Sequence, residues 1–330
     1  MNEIHSLLSR YFSILENGGS PVFLQTKYNS VTFNISDSTN HLWNIHEKSL
    51  QKPHICDQIP VQSLLDLKIE LADRIFENCH FCERKCNVNR KETTGACGVQ
   101  EAKIASEFIH LGEESILIPS YTIFFSGCTF HCMFCQNWDI SQRSCGYPFL
   151  PSVVAKMITK KQQQGAINVN WVGGDPTPNI PFILKVLKES NDPLPQIWNS
   201  NMYCSLKTMQ LLNGVMDLYL TDFKYGNDVC AEELSKVTDY STIVQRNHIL
   251  AAQQGEILIR HLVLPNHLAC CSQPILERIK KHLPRAPVNI MAQYRPEYQA
   301  HQQAMINRQL TTLEYQQVLK LAKDLDIVLV

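Results

Sequence analysis

Residues 121–137 read YTIFFSGCTFHCMFCQN: an apolar run, a glycine, then three cysteines, Cys128, Cys132 and Cys135, within eight residues. The run Tyr121–Phe125 has the aromatic and β-branched content of a buried strand. The thiols therefore fall at the strand's carboxyl end. Repetition of this strand pattern along the chain decides the fold. Five further strand-like runs recur, at 167–173 (INVNWVG), 195–201 (PQIWNSN), 217–225 (DLYLTDFKY), 256–265 (EILIRHLVLP) and 287–294 (PVNIMAQY). Each of the six runs is followed by a helix-like stretch, from Ser152, Ile180, Ser205, Asp228, Ser272 and Thr311 in turn. The last opens TTLE, in which Thr311 and Glu314 make a capping box. Strands apolar for most of their length are expected where both faces are covered.

Six βα units in series imply a parallel sheet with right-handed crossovers. Six are too few for a closed eight-stranded barrel, so the expected fold is α/β, a partial open (β/α)6 TIM-like barrel; a doubly wound sheet is the alternative. Either way, functional residues gather at the carboxyl ends of the strands. The expected organisation is an N-terminal, mostly helical or irregular extension (1–70), a cysteine-rich segment (71–120) and the βα core (121–330). Within the extension, apolar residues at 64, 67, 71 and 75 mark one face of a helix leading into the cysteines.

The chain has 330 residues, 44% of them hydrophobic, with 30 basic and 31 acidic side chains. This near balance gives a nucleic-acid partner no electrostatic support. No run of about eighteen apolar residues exists, so no membrane span is expected. The first twenty residues do not read as a secretory signal, so the expected location is cytoplasmic. Thirteen cysteines in such a chain point to metal or redox chemistry where they cluster. Seven lie between Cys79 and Cys135; Cys56, Cys145, Cys204, Cys230, Cys270 and Cys271 are expected to be ordinary buried thiols.

Thiolates select zinc or iron–sulfur clusters. A zinc knuckle at the first loop needs a fourth ligand, His131 or another cysteine. Three thiolates in one loop also suit a cubane cluster with one iron left open. Upstream, Cys79-x2-Cys82-x3-Cys86-x10-Cys97 offers four thiols, enough for structural zinc or an auxiliary iron–sulfur cluster, with Arg84, Lys85, Arg90 and Lys91 to offset thiolate charge. At other strand ends, Gly173-Gly174-Asp175 allows close backbone approach to a ligand and adds an acceptor. Asp222 and Lys224, two apart, share a face. Asn199 and Asn201 offer polar groups, and His261, Asn289 and Gln293 are weaker candidates. No G-x-G-x-x-G is present, so a dinucleotide fold has no fingerprint.

Cys-x3-Cys-x2-Cys with an aromatic before the last cysteine resembles the radical S-adenosylmethionine (SAM) superfamily. With WVGGDPTPN, TDFKY, RHLVLPN and NIMAQY, the chain looks like its pyruvate formate-lyase-activating-enzyme-like branch over most of 79–330. The resemblance implies a [4Fe-4S] cluster on Cys128, Cys132 and Cys135, with SAM on the fourth iron. It implies that Phe134 meets the adenine, Gly173, Gly174 and Asp175 the SAM amino group, Asn199 the ribose, Lys224 beside Asp222 the carboxylate, and His261 some part of SAM. Asp175 stands where that family's motif has Glu, one methylene longer. The implied activity is reductive SAM cleavage to a 5′-deoxyadenosyl radical that abstracts hydrogen from a substrate. The implied partners are a flavodoxin or ferredoxin donor and a glycyl radical enzyme whose glycine Cα loses the hydrogen. Those activating enzymes that carry extra clusters usually place a ferredoxin-like insert after the SAM loop, whereas this chain's second set precedes it. The alternatives are radical SAM modification of a small molecule, an RNA or another protein, and a non-catalytic zinc-binding interaction protein.

Overall fold

A computed structural model describes residues 2–330 of the chain. Five helices come first: α1 (Asn2–Leu7), α2 (Ser9–Asn17), α3 (Val22–Tyr28), α4 (Thr39–Gln51) and α5 (Leu64–Glu77). Strand β1 (Ile104–His110) turns back antiparallel onto β2 (Ser120–Phe125). Helices and strands then alternate: α6 (Trp138–Ser141), α7 (Pro151–Gln163), β3 (Asn168–Gly173), α8 (Ile180–Glu189), β4 (Gln196–Ser200), α9 (Leu206–Leu212) and β5 (Leu218–Asp222). After β5 come α10 (Asp228–Ser235), α11 (Tyr240–Gln254), β6 (Glu256–Leu262), α12 (Gln273–His282), β7 (Val288–Met291) and α13 (Thr312–Asp324).

The strands pair in chain order, β1 to β7, and β2 through β7 are parallel. The seven form one open sheet of sequential βα units, the partial (β/α)6 barrel expected, not a doubly wound sheet. β4 is buried at every position and β3 and β5 at nearly every one, as two-sided cover requires. β1 was not anticipated. It is an edge strand whose burial alternates, and its polar residues Ser106 and Glu107 break up the apolar run. The capping box of Thr311 and Glu314 forms at the start of α13. Helix α5 runs through residue 70, so the extension and the cysteine-rich segment share one continuous element. Among the described residues, no helix is long and apolar enough to cross a membrane.

The N-terminal helices close the barrel at the end opposite the cysteines. Leu8 and Tyr11 pack with Leu117, Ile197, Leu218, Leu220 and Leu258, all fully buried. Full burial of each leucine or isoleucine there contributes about 1.5–3 kcal/mol. Two carboxylates at the amino ends of strands anchor these helices. Glu256 accepts the backbone N–H of Arg10 and of Tyr11 at 2.7 and 2.8 Å, satisfying free donors in the first turn of α2. Asp217 accepts Val22 N–H at the start of α3 and Gln196 N–H at the start of β4, at 2.9 and 2.8 Å. Lys68 on α5, fully buried, donates to the carbonyls of Gln210, Leu211 and Asn213, terminal acceptors of α9. It also lies 2.8 Å from His46 Nε2. Burial, with Lys68 beside it, pushes His46 down to about 2, so its imidazole is neutral and accepts from the lysine.

Burial pushes the Asp217 carboxyl up to about 6 despite the two N–H donors. An acid whose pKa is raised by folding binds its proton more tightly in the folded chain. Its contribution to stability is therefore largest near pH 4, falls as pH rises to about 6, and is constant above that. The change amounts to on the order of 2–3 kcal/mol. Asp217→Asn removes this titration and one acceptor lone-pair set. Its destabilisation, measured by urea unfolding, is expected to be larger at pH 5 than at pH 7.5. A cost that grows with pH would show that the ionised carboxylate is the stabilising form.

Candidate functional site

Three glycines bring β2, β3 and the cysteine loop together. Gly173 has φ +128°, and a Cβ there would lie 2.1 Å from Phe125 N and 2.2 Å from Phe125 O. A Cβ on Gly174 would lie 2.1 Å from the Gly127 carbonyl oxygen. Backbone bonds accompany this closeness: Gly174 N–H to Phe125 O at 2.9 Å and Asp175 N–H to Gly127 O at 3.0 Å. The loop then docks on α10 through His131 N–H to Ser235 O and Met133 N–H to Leu234 O.

Cys128, Cys132 and Cys135 line one wall of a cavity of about 410 Å³ at the carboxyl ends of the parallel strands. Polar groups meet the sulfurs: Ser235 Oγ–H donates to Cys132 Sγ at 2.9 Å, and Ser141 Oγ lies 3.1 Å from Cys135 Sγ. Burial raises the Cys128 thiol, and raises Cys132 to about 11, so bare sulfurs here hold their protons. A metal supplies the positive charge that keeps such thiols as thiolates. In neither cysteine set do three sulfurs lie within 4.8 Å of one another. A tetrahedral zinc with bonds of about 2.3 Å needs sulfurs about 3.8 Å apart. His131 does not supply a fourth ligand to the cavity: its Nδ1 is 2.8 Å from Gln142 Oε1, and its ring is absent from the lining. Among the described residues, no fourth cysteine lines this cavity.

Gly173, Gly174, Asn199, Asn201, Asp222, Lys224 and Phe134 also line it, as does Gln293. Phe134 is buried against Tyr225 and Tyr294, with ring centroids 6.4 and 5.8 Å away. Lys224 Nζ donates to Asp222 Oδ2 at 2.8 Å. Burial opposes both charges, yet the partners win: Lys224 and Arg260 hold Asp222 below its ordinary range, and Asp222 holds Lys224 above its own. Arg260 and Glu113, neither singled out from the sequence, complete this polar floor. Arg260 donates to Asp222 Oδ1, Glu113 Oε2 and Asn199 Oδ1. Strand alternation was the available signal, because Arg260 shares the inward parity and His261 takes the opposite face.

Three candidates lie elsewhere. His261 is buried behind the wall, with Nδ1 2.9 Å from Phe223 O and Nε2 2.8 Å from Ser272 Oγ. Both ring nitrogens are engaged, and His261 does not reach the cavity. Asp175 is also off the lining. It accepts Ser200 Oγ–H and Thr129 Oγ1–H at 2.8 Å each and so ties β4 to the cysteine loop. Burial raises its carboxyl to about 6. Asn289 donates to Glu114 Oε1 and stays outside.

The upstream set folds back onto the first loop. Arg84 donates to Thr129 O at 2.6 Å and Arg90 to Pro178 O at 2.8 Å, rather than to thiolates. Cys97 O would lie 2.7 Å from a Cβ on Gly127. Cys82 pairs across a β-bridge with Cys204. Burial, then the neighbouring Cys97, Cys79 and Cys86, raise the Cys82 thiol, which places the four sulfurs in one neighbourhood. A larger, shallower groove of about 580 Å³ along α11 has no cysteine in its wall.

Cavity, cysteine triad and sheet together place a donor set suited to an iron–sulfur cluster at the strand ends of an α/β partial barrel. Residues 119–240 match a family model described as a 4Fe-4S single cluster domain. The whole chain is 46% identical over 337 aligned residues to the uncharacterized protein MJ0674 of Methanocaldococcus jannaschii, covering 98% of this chain and 99% of that one. The chain belongs to the family of that protein. Among solved structures it aligns with Streptococcus suis SuiB bound to S-adenosylmethionine at 12% identity and a TM-score of 0.47, over 62% of this chain and 47% of SuiB. It aligns with methylornithine synthase (PylB) at 14% identity and a TM-score of 0.46, over 93% and 78%. The chain thus spans under half the length of SuiB.

Proposed function

We propose that this chain is a radical SAM enzyme. The observation that carries the reading is a cavity at the strand ends lined by three cysteines of one loop and by no fourth, beside a floor of paired charges. Cys128, Cys132 and Cys135 are the residues that would hold a [4Fe-4S] cluster, and SAM would occupy the remaining space. When bound, these groups supply one-electron reductive cleavage of SAM and a hydrogen-abstracting radical.

The chain's own residues set the conditions for that chemistry. Lys224, its charge secured by Asp222, presents an ammonium to a carboxylate. Asn199, oriented by Arg260, offers an amide to hydroxyls. Phe134, braced by Tyr225 and Tyr294, gives a flat apolar wall suited to a nucleobase. Asp175 acts through Thr129 and Ser200 as a positioning residue for the loop. Phe130 and Phe134, both nearly fully buried, keep water from the sulfurs.

Equilibrium dialysis of the iron-reconstituted protein against SAM tests the site. Lys224→Met is expected to weaken binding about 10–100-fold, the worth of one charge-assisted hydrogen bond, with iron content unchanged. Unchanged affinity would remove Lys224 from the cavity's role.

The finer reading rests on the sequence resemblance: a flavodoxin or ferredoxin delivers the electron, and the hydrogen comes from a glycine Cα of a partner enzyme. Anaerobic trapping of a partner, with spin resonance on the captured protein, tests it. A glycyl signal on that protein is the expected result. Turnover of a small molecule with no protein radical would replace this substrate assignment.

A further inference from the structure

We propose that Cys230, Cys270 and Cys271 form a mononuclear zinc site, separate from both clustered cysteine sets. Forty residues apart in sequence, these thiols meet where the first turn of α10 faces the turn that follows β6. Their sulfurs are the only three His, Cys, Asp or Glu ligand atoms among the described residues that lie within 4.8 Å of one another. Cys230 Sγ is 3.8 Å from Cys270 Sγ, and Cys270 Sγ is 4.0 Å from Cys271 Sγ. Tetrahedral zinc with Zn–S bonds of about 2.3 Å sets its sulfurs about 3.8 Å apart. The two separations match a thiophilic cation of that size, and with three thiolates bound a water would complete its fourth position.

The backbone is shaped to make this meeting. Residues 268–272 form a π-helical turn, a rare geometry concentrated at functional sites, which sets the adjacent Cys270 and Cys271 toward one point. Gly226 opposite has no room for a side chain: a Cβ would lie 2.5 Å from Cys270 O and 2.8 Å from Cys271 Cα. Only glycine lets the two loops approach this closely. Around the sulfurs, Asn227 Nδ2–H points at Cys230 Sγ from 3.4 Å while donating to Cys270 O, so one amide braces both loops. Cys230 itself lies in the first turn of α10, its backbone N–H held by Asn227 Oδ1 at 2.9 Å. Binding Zn2+ displaces the thiol protons to solvent and involves no electron transfer.

The metal would pin the start of α10 to the start of α12. Ser235, at the other end of α10, contacts Cys132 Sγ, and Ser272, at the end of the π-turn, holds His261. The zinc therefore staples the wall of the cavity without entering it. This role does not depend on what the cavity binds.

The test is metal analysis of the full chain, reconstituted anaerobically with iron and sulfide, dialysed against Zn2+ and then against metal-free buffer. One zinc per chain is expected, with three sulfurs at about 2.3 Å in its X-ray absorption first shell. Cys270→Ala is expected to lose that equivalent with iron unchanged, and Cys86→Ser to keep it. Absence of retained zinc in the wild type, a first shell of only nitrogen and oxygen, or full zinc retention in Cys270→Ala would each overturn the site.

Discussion

Cys132→Ala is expected to leave a folded chain that has lost about four irons and all dithionite-dependent cleavage of SAM. The reason lies in the loop. Cys132 is the middle of three thiols on one cavity wall and receives the Ser235 hydroxyl on its sulfur. Removing one of three protein ligands from an already open cluster leaves too few to retain it. His131→Ala serves as the control. Its imidazole faces Gln142, so iron content and SAM cleavage are expected to be unchanged. Formation of 5′-deoxyadenosine by Cys132→Ala would remove the loop from the chemistry, and loss of metal in His131→Ala would restore the zinc-knuckle reading.

The second large effect concerns packing. Gly173→Ala puts a methyl group 2.1–2.2 Å from Phe125 backbone atoms, at a φ of +128° that alanine resists. The clash is with a hydrogen-bonded strand, which has no flexible end to swing aside. Overpacking and backbone strain together are expected to destabilise the protein by about 3 kcal/mol or more and to displace the cysteine loop, lowering iron content. Gly165→Ala separates the two contributions. Its φ is +97°, but nothing lies within 4 Å of the added methyl, so only the strain contribution, about 1 kcal/mol, is expected. Comparable urea midpoints for the two variants would mean that β2 and β3 yield more readily than the close approach implies.

The six parallel strands were readable because two-sided burial writes itself as long apolar runs, and the capping box at Thr311 because it depends on four consecutive residues. Local patterns of this kind survive folding. β1 escaped because an edge strand needs cover on one side only, and Glu107 in its middle disguises the alternation. At the site, the triad and the Asp222–Lys224 pair were legible from spacing alone. Arg260 was passed over for its neighbour His261, although strand parity separates them: one faces the cavity, and the other is saturated by Phe223 and Ser272. Asp175 sits in the expected loop, but its side chain turns to Thr129 and Ser200, a choice made by partners from β4 that no local pattern contains. Cys230, Cys270 and Cys271 looked like isolated core thiols. Their convergence depends on two loops crossing at Gly226, a long-range event that spacing cannot record. For the upstream set, spacing allowed zinc or a cluster alike; the structure adds the approach of Cys97 to Gly127, which places the set against the first loop.

Cleavage of SAM in the three-cysteine cavity is measured by anaerobic incubation of the iron-reconstituted wild-type protein with SAM and dithionite, quantifying 5′-deoxyadenosine and methionine together. A brown protein that forms both in equal amounts is the predicted result. A colourless protein holding only zinc, or a brown one that leaves SAM intact, would contradict it.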